Sequence, residues 1–186
     1  MKIYRTWEKD GYRIRPAQAE DVEDYFSQNY DPLDKEAARC TGCKETFTRE
    51  EVAAFFLKAV QEEDRYFFLI LAPDGRIVGE SVINEIDWDL RRANFRIALY
   101  HSTERGKGIG GWAIETARDF AFEELRLHRL ELDVFSFNTR AERAYLKAGF
   151  RREGVLRDAV MDGDGYADDI LMAILEEEWK ALKALP

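Results

Sequence analysis

Seven residues, Arg105-Gly106-Lys107-Gly108-Ile109-Gly110-Gly111, constrain this chain more than any other stretch. Four glycines among seven residues let the backbone reach positive φ and come within hydrogen-bonding distance of a ligand. An apolar stripe follows, Ile109, Ala113, Ala117, Phe120 and Ala121, at helical spacing, so the loop opens a helix. A helix N-terminus offers unpaired N–H groups and the positive end of its dipole. Arg105 and Lys107 add full charges, and the combination suits a phosphate or pyrophosphate. The plain alternative is a flexible turn, which has no use for four glycines and two cations.

The type of phosphate ligand is narrowed by what surrounds the loop. No Gly-Lys-Ser/Thr closes it, so it is not a Walker A loop. Gly106, Gly108 and Gly111 do match G-x-G-x-x-G, with Glu131 lying 20 residues beyond the last, which raises a dinucleotide-binding reading. The preceding run argues against it. Phe95, Ile97 and Leu99 alternate with Asn94, Arg96 and Ala98, whereas a doubly wound nucleotide domain expects a continuous buried strand there. The loop also falls mid-chain, leaving too little sequence for such a domain plus a substrate domain.

The 186 residues suit one domain, residues 1–186 with a core of about 12–175, and no linker or repeat divides them. Tyr12–Pro16 reads as a strand, and Ala19, Val22, Tyr25 and Phe26 mark a helix over Ala17–Tyr30, closed by Asp31-Pro32. Thr48-Arg-Glu-Glu51 is a capping box before the helical stripe Val52, Phe55, Phe56, Ala59, Val60. Arg65–Ala72 and Arg76–Ile86 form a hairpin through Pro73-Asp74-Gly75. Further strands are expected at Ala93–Tyr100, Arg129–Phe135, from Gly149-Phe150 onward and at Asp169–Leu175. A short helix is expected at Asn138–Lys147 and a turn at Met161–Tyr166, and a charged tail ends the chain. The order gives a mixed α/β (α+β) class with early hairpins and one central βαβ crossover.

Charge excludes other classes. The chain holds 28 Lys+Arg against 37 Asp+Glu, a formal charge of −9, which does not suit general nucleic-acid binding. Residues 91–157 nevertheless carry 14 basic and 9 acidic side chains, a local base for a small anion. Asp158–Glu178 holds eight acidic residues and no basic one, a field that would draw a cationic partner. The longest apolar run, Tyr66–Ala72, is far short of the roughly 20 residues that span a bilayer, and the polar Met1–Tyr12 does not read as a secretory signal. Cys40 and Cys43 lack the second ligand pair a zinc site needs, and His101 and His128 are not spaced as ligands, so no metal is expected. Two free thiols and a cytoplasmic location are the reading.

Two motifs in order resemble a known superfamily. Arg105-x-x-Gly108-x-Gly110 is similar to the Q/R-x-x-G-x-G/A signature of the GNAT N-acetyltransferases. Asn138-Thr-Arg-Ala141-Glu-Arg-Ala-Tyr145-Leu-Lys-Ala-Gly149-Phe150 resembles their second signature, N-x-x-A-x-x-x-Y-x-x-x-G-F. Arg92–Ile97, Phe122–Leu130 and Phe150–Gly154 further resemble the RimJ/RimL-like and spermidine/spermine acetyltransferase branches. The likeness runs from about Tyr12 to Leu175.

This resemblance implies a single-domain fold whose twisted mixed sheet is splayed at the acetyl-CoA site and flanked by helices. It implies acetyl transfer from acetyl-CoA, as co-substrate, to a primary amine on a protein N-terminus, a polyamine or another small molecule. Arg105, Gly106, Lys107, Gly108, Ile109, Gly110 and Gly111 would hold the pyrophosphate. Leu99 and Tyr100 would end the strand that pairs with pantetheine, Asn138 would bond the cofactor, and Arg140 would reach a phosphate. Tyr145 would protonate the departing thiolate. A base is required only where the amine enters protonated; Glu85, before the polar bend Asp87-Trp88-Asp89, is the first candidate and Glu80 the second. Phe150 is expected in the core. A non-catalytic CoA or nucleotide sensor is the competing class, and a homodimer is left open.

Overall fold

The computed structural model describes residues 5–184; residues 1–4 of the Met1–Tyr12 segment and residues 185–186 lie outside the described residues. Its strands are β1 (Trp7–Lys9), β2 (Tyr12–Pro16), β3 (Tyr66–Leu71), β4 (Ile77–Asp87), β5 (Arg92–Leu99), β6 (Arg129–Phe135), β7 (Arg151–Asp162) and β8 (Gly165–Leu175). Its α-helices are α1 (Val22–Asn29), α2 (Lys35–Thr41), α3 (Arg49–Gln61), α4 (Ile109–Glu123), α5 (Thr139–Lys147) and α6 (Glu176–Lys183).

All eight strands form one sheet in the order β1-β2-β3-β4-β5-β6-β8-β7. β3 shows why both of its faces are covered. All six of its residues are buried, because alternate side chains serve two cores. Tyr66, Phe68 and Ile70 join the core under α4, α5 and α6, with Ile114, Phe120, Phe150 and Trp179. Phe67, Leu69 and Leu71 join the one under α1, α2 and α3, with Tyr25, Ala37 and Phe56. Burying a side chain of this size contributes about 1.5–3 kcal/mol, so neither helical layer can be lost cheaply. Among the described strands only β5 and β6 pair in parallel, through the crossover helix α4. A single parallel pair in an otherwise antiparallel sheet removes the doubly wound dinucleotide reading.

Three elements were not foreseen, each for a local reason. β1 has three residues, too few for a periodicity. α2 buries only Ala37 and Ala38; its signal lies in its ends, where Asp34 accepts a hydrogen bond from the Ala37 N–H at 2.8 Å and Gly42 closes it at φ 67°. The C-terminal tail is the helix α6: the Leu175 N–H donates to Glu178 at 2.9 Å, and Trp179 and Leu182 pack on the core. The expected first helix instead opens as a 3-10 turn, Ala19–Asp21, because the Asp21 carboxylate is held by Arg15 and the Gln18 N–H. No helix among the described residues is long and apolar enough to cross a membrane.

Candidate active site

The site begins where β5 and β6 part. They pair only through Arg92–Asn94 and Arg129–Glu131. Beyond Asn94, β5 stays paired with β4 as far as Leu99, and β6 stays paired with β8 as far as Phe135. The facing edges of Phe95–Leu99 and Leu132–Phe135 are therefore left with backbone N–H and C=O groups turned into the gap, the property of a strand edge that accepts another extended chain. A cavity of about 440 Å³ occupies the gap, walled by β5, the glycine loop, α2, β6 and α5.

At one end lies the glycine loop. Gly106 and Gly108 sit at φ 79° and 81°, the left-handed region that a side chain makes costly. Gly108 is the N-cap of α4, so the next N–H groups have no partner within the helix and face outward from its first turn. A Cβ built on Gly106, Gly108 or Gly111 meets nothing within 4 Å. The loop therefore presents an open, donor-rich cradle to the cavity, and the donor set fits a pyrophosphate.

The cations expected on that pyrophosphate are placed differently. The Arg105 guanidinium lies 2.5 Å from Asp34 and 2.7 Å from Glu36, with its side chain only 9% exposed. It is a strut between the loop and α2. Arg140 lines the cavity, and its guanidinium is 2.9 Å from the other oxygen of Glu36. Lys107 does not line the cavity; its ammonium reaches Glu104 at 3.1 Å, and Glu104 also accepts a 2.5 Å hydrogen bond from Tyr12. Ile109 is buried in the core beneath α4, so only its backbone remains in the cradle. Leu99, Tyr100, Arg105, Gly106, Gly108, Gly110, Gly111 and Asn138 do line the cavity.

Asn138 caps α5, its side-chain oxygen accepting from the Ala141 N–H at 3.3 Å, which leaves the amide N–H₂ for a ligand. Two turns further along, Tyr145 enters the same cavity. Its ring packs against Phe95 and Phe150, and its hydroxyl has no hydrogen-bond partner among the described residues. Burial, and next the charge of Asp133, raise its pKa well above the ordinary phenol value, so Tyr145 stands protonated at neutral pH. Phe150 is 2% exposed and belongs to the core.

Three carboxylates line the cavity, Glu36, Glu80 and Asp133, and of the two proposed bases only Glu80 is among them. Glu85 is exposed and absent from the cavity wall. It occupies a bulge in β4 between Asn84 and Asp87 at φ 54°, and Ile83 and Ile86, three residues apart, point into the same core. The strand slips by one residue there and turns Glu85 to solvent. Glu80, 5% exposed, lines the cavity from the regular part of β4. Tyr25 donates a short hydrogen bond to its Oε2, and Arg96 lies 3.6 Å from its Oε1. The Tyr30 and Tyr100 hydroxyls are 2.9 Å apart, and Tyr30 is 3.1 Å from Tyr25. Burial and then the Glu80 charge push Tyr30 up to about 12.

Two further features of the sequence find their place in the structure. Cys40 and Cys43 are free thiols that both line the cavity, Cys40 on α2 and Cys43 just beyond it. The acidic block Asp158–Glu178 contributes nothing to the cavity wall. Three of its side chains are engaged elsewhere, Asp162 with Arg39, Glu176 with Arg91 and Glu178 with Arg151.

Comparison with known proteins agrees with this geometry. The family model described as an acetyltransferase (GNAT) domain matches residues 12–151. A probable N-acetyltransferase, YjcK, of Bacillus subtilis is 29% identical over 130 residues, covering 70% of this chain and 72% of that protein. The spermidine N(1)-acetyltransferase of Escherichia coli K12 is 29% identical over 136 residues, covering 73% and 72%. Among solved structures, spermidine N-acetyltransferase from Vibrio cholerae in complex with CoA and spermine superposes with a TM-score of 0.81 at 22% identity, covering 92% of this chain and 99% of that one. The chain belongs to the GNAT acetyltransferase family. It is an acetyl-CoA-dependent N-acetyltransferase acting on an amine.

Proposed function

We propose that the chain acetylates a small cationic amine of the polyamine type within the gap between β5 and β6. The observation that carries this reading is one cavity with a phosphate cradle at one end and both Tyr145 and Glu80 on its walls. The likeness to spermidine acetyltransferases supports the acceptor class.

The thioester is supplied by acetyl-CoA. The backbone of Gly106–Gly111 at the start of α4 binds its pyrophosphate, and the open edge of β5 up to Leu99 and Tyr100 pairs with its amide-bearing arm. Asn138 donates to the same arm. An N–H of the β5 edge polarises the carbonyl under attack. Glu80 Oε1 takes the proton from the entering ammonium, and the freed amine attacks the carbonyl carbon. As the carbon–sulfur bond breaks, the Tyr145 hydroxyl gives its proton to the sulfur, and the proton shed by the acetylated nitrogen passes to the phenolate, so the one net proton stays on Glu80 until solvent takes it. Arg96 beside Glu80 holds the carboxylate's charge until an ammonium replaces it, and buried apolar walls exclude water from the thioester.

We place the protein in the cytoplasm, where unpaired Cys40 and Cys43 stay reduced. Self-association as a homodimer is supported by the outer strand β7, which leaves Val155, Leu156 and Met161 exposed. Thiol release from acetyl-CoA, measured with spermidine, free amino acids and N-terminal peptides, tests the acceptor. Spermidine is expected to give the highest kcat/KM; preference for a peptide N-terminus would move the assignment to protein acetylation.

A further inference from the structure

Glu80 ends a chain of three tyrosine hydroxyls drawn from two separate parts of the sequence, Tyr25 and Tyr30 from one and Tyr100 from the other. Tyr25 is fully buried on α1 and packs on Phe56 with ring centroids 4.6 Å apart. Its hydroxyl donates to Glu80 Oε2. Having given its one proton to the carboxylate, the Tyr25 oxygen accepts from Tyr30 at 3.1 Å, and Tyr30 in turn accepts from Tyr100 at 2.9 Å. The shorter contacts thus order the protons in one direction, Tyr100 to Tyr30 to Tyr25 to Glu80. The remaining Tyr25–Tyr100 contact, at 3.4 Å, needs no proton. Burial raises the pKa of Tyr25, Tyr30 and Tyr100, so all three remain donors.

The two carboxylate oxygens consequently have different roles. Oε2 is fixed from the α1 side, whereas Oε1 faces Arg96, a half-exposed residue of the cavity wall. A free glutamate would rotate about its last torsion and exchange the two oxygens. A carboxylate tied by one buried donor does not. We infer that Tyr25 is a positioning residue of the transfer reaction, holding Glu80 so that Oε1 faces the acceptor amine, with Tyr30 and Tyr100 holding Tyr25 in turn. The inference rests on the reading of Glu80 as proton acceptor. It extends the site into a helix that touches neither substrate.

Tyr25→Phe keeps the ring and its packing while removing the hydroxyl. Its kcat with spermidine is expected to fall about tenfold, the weight of one hydrogen bond to a charged group. The dissociation constant for CoA by calorimetry, which does not depend on turnover, is expected to stay at the wild-type value. Tyr30→Phe, at a partly exposed site, should show a smaller fall in kcat with the same unchanged CoA affinity. Because both hydroxyls act through one carboxylate, Tyr25→Phe combined with Glu80→Gln is expected to be no slower than Glu80→Gln alone. Unchanged kcat in both tyrosine variants, or losses that multiply in the double variant, would overturn the inference. Wild-type turnover by Glu80→Gln would instead remove the underlying reading of Glu80. An impaired Glu80→Gln beside an unimpaired Tyr25→Phe removes only the role of Tyr25.

Discussion

Asn94 faces Glu131 in the last register pair that joins β5 to β6. Every residue assigned to cofactor or catalysis lies beyond that pair, where the strands separate. The crossover helix α4 starts at Ile109, within the glycine-rich stretch, so the opening in the sheet and the phosphate cradle come from one βαβ unit. Chemistry at this site depends on a gap that the sheet itself keeps open.

Tyr145 enters this gap from α5 with no partner for its hydroxyl among the described residues. In Tyr145→Phe the packing against Phe95 and Phe150 survives, so stability and CoA affinity should match wild type. Loss of the proton donor should lower kcat about 100-fold, the low end of what a positioned acid contributes. Steady-state thiol release alongside calorimetric CoA binding checks both. An unchanged kcat would sink the assignment.

Gly108 holds the loop at φ 81° as the N-cap of α4. Gly108→Val should cost about 1–2 kcal/mol in backbone strain and place methyl groups over the cradle. A lower melting temperature and markedly weaker CoA binding are expected together. Wild-type CoA affinity in this variant would show that the cradle is elsewhere.

Glu36 places one carboxylate between the guanidinium groups of Arg105 and Arg140. A phosphate drawn to the same two guanidinium groups would have to compete with it. Glu36→Gln should tighten CoA binding about two- to fivefold, the scale of half-exposed ion pairs, and the gain should shrink in high salt. Weaker binding would mean that the strap orders the site more than it competes with the ligand.

Glu104 ties the loop to β2. The hydrogen bond from Tyr12 comes first and the Lys107 contact follows, and together they lower its pKa below the usual glutamate value. A folded-state pKa below the unfolded one stabilises the fold above the unfolded value, and that stability is lost as pH falls through the folded one. Melting temperature should therefore drop as pH falls below about 4.5, and less steeply in Glu104→Gln. Identical slopes for the two proteins would exclude Glu104 from the acid response.

The loop and the Asn138-to-Phe150 stretch were legible in sequence because their geometry demands particular residue types. Gly106 and Gly108 need positive φ, Asn138 must cap a helix, and Tyr145 must fall one face along it. Glu80 and its tyrosines were not legible in the same way. Tyr25 reads as part of a helical stripe, Tyr30 as a helix end and Tyr100 as the end of the strand expected to pair with pantetheine, and only folding joins their hydroxyls in one chain that ends on Glu80. Glu85 was preferred over Glu80 for its place before the polar bend Asp87-Trp88-Asp89, and the bulge that turns it to solvent is not announced by the sequence. Arg105 and Lys107 were read as ligand cations since their carboxylate partners, Asp34, Glu36 and Glu104, come from a short helix and a turn without periodic signal.

The central claim is best tested by mixing the protein with acetyl-CoA and spermidine, following free thiol over time and weighing the products. Stoichiometric release of CoA with acetylated spermidine, about 100-fold slower in Tyr145→Phe, is the expected result. CoA that binds tightly at the glycine loop, with no acetylated product from spermidine, amino acids or peptides, would contradict it.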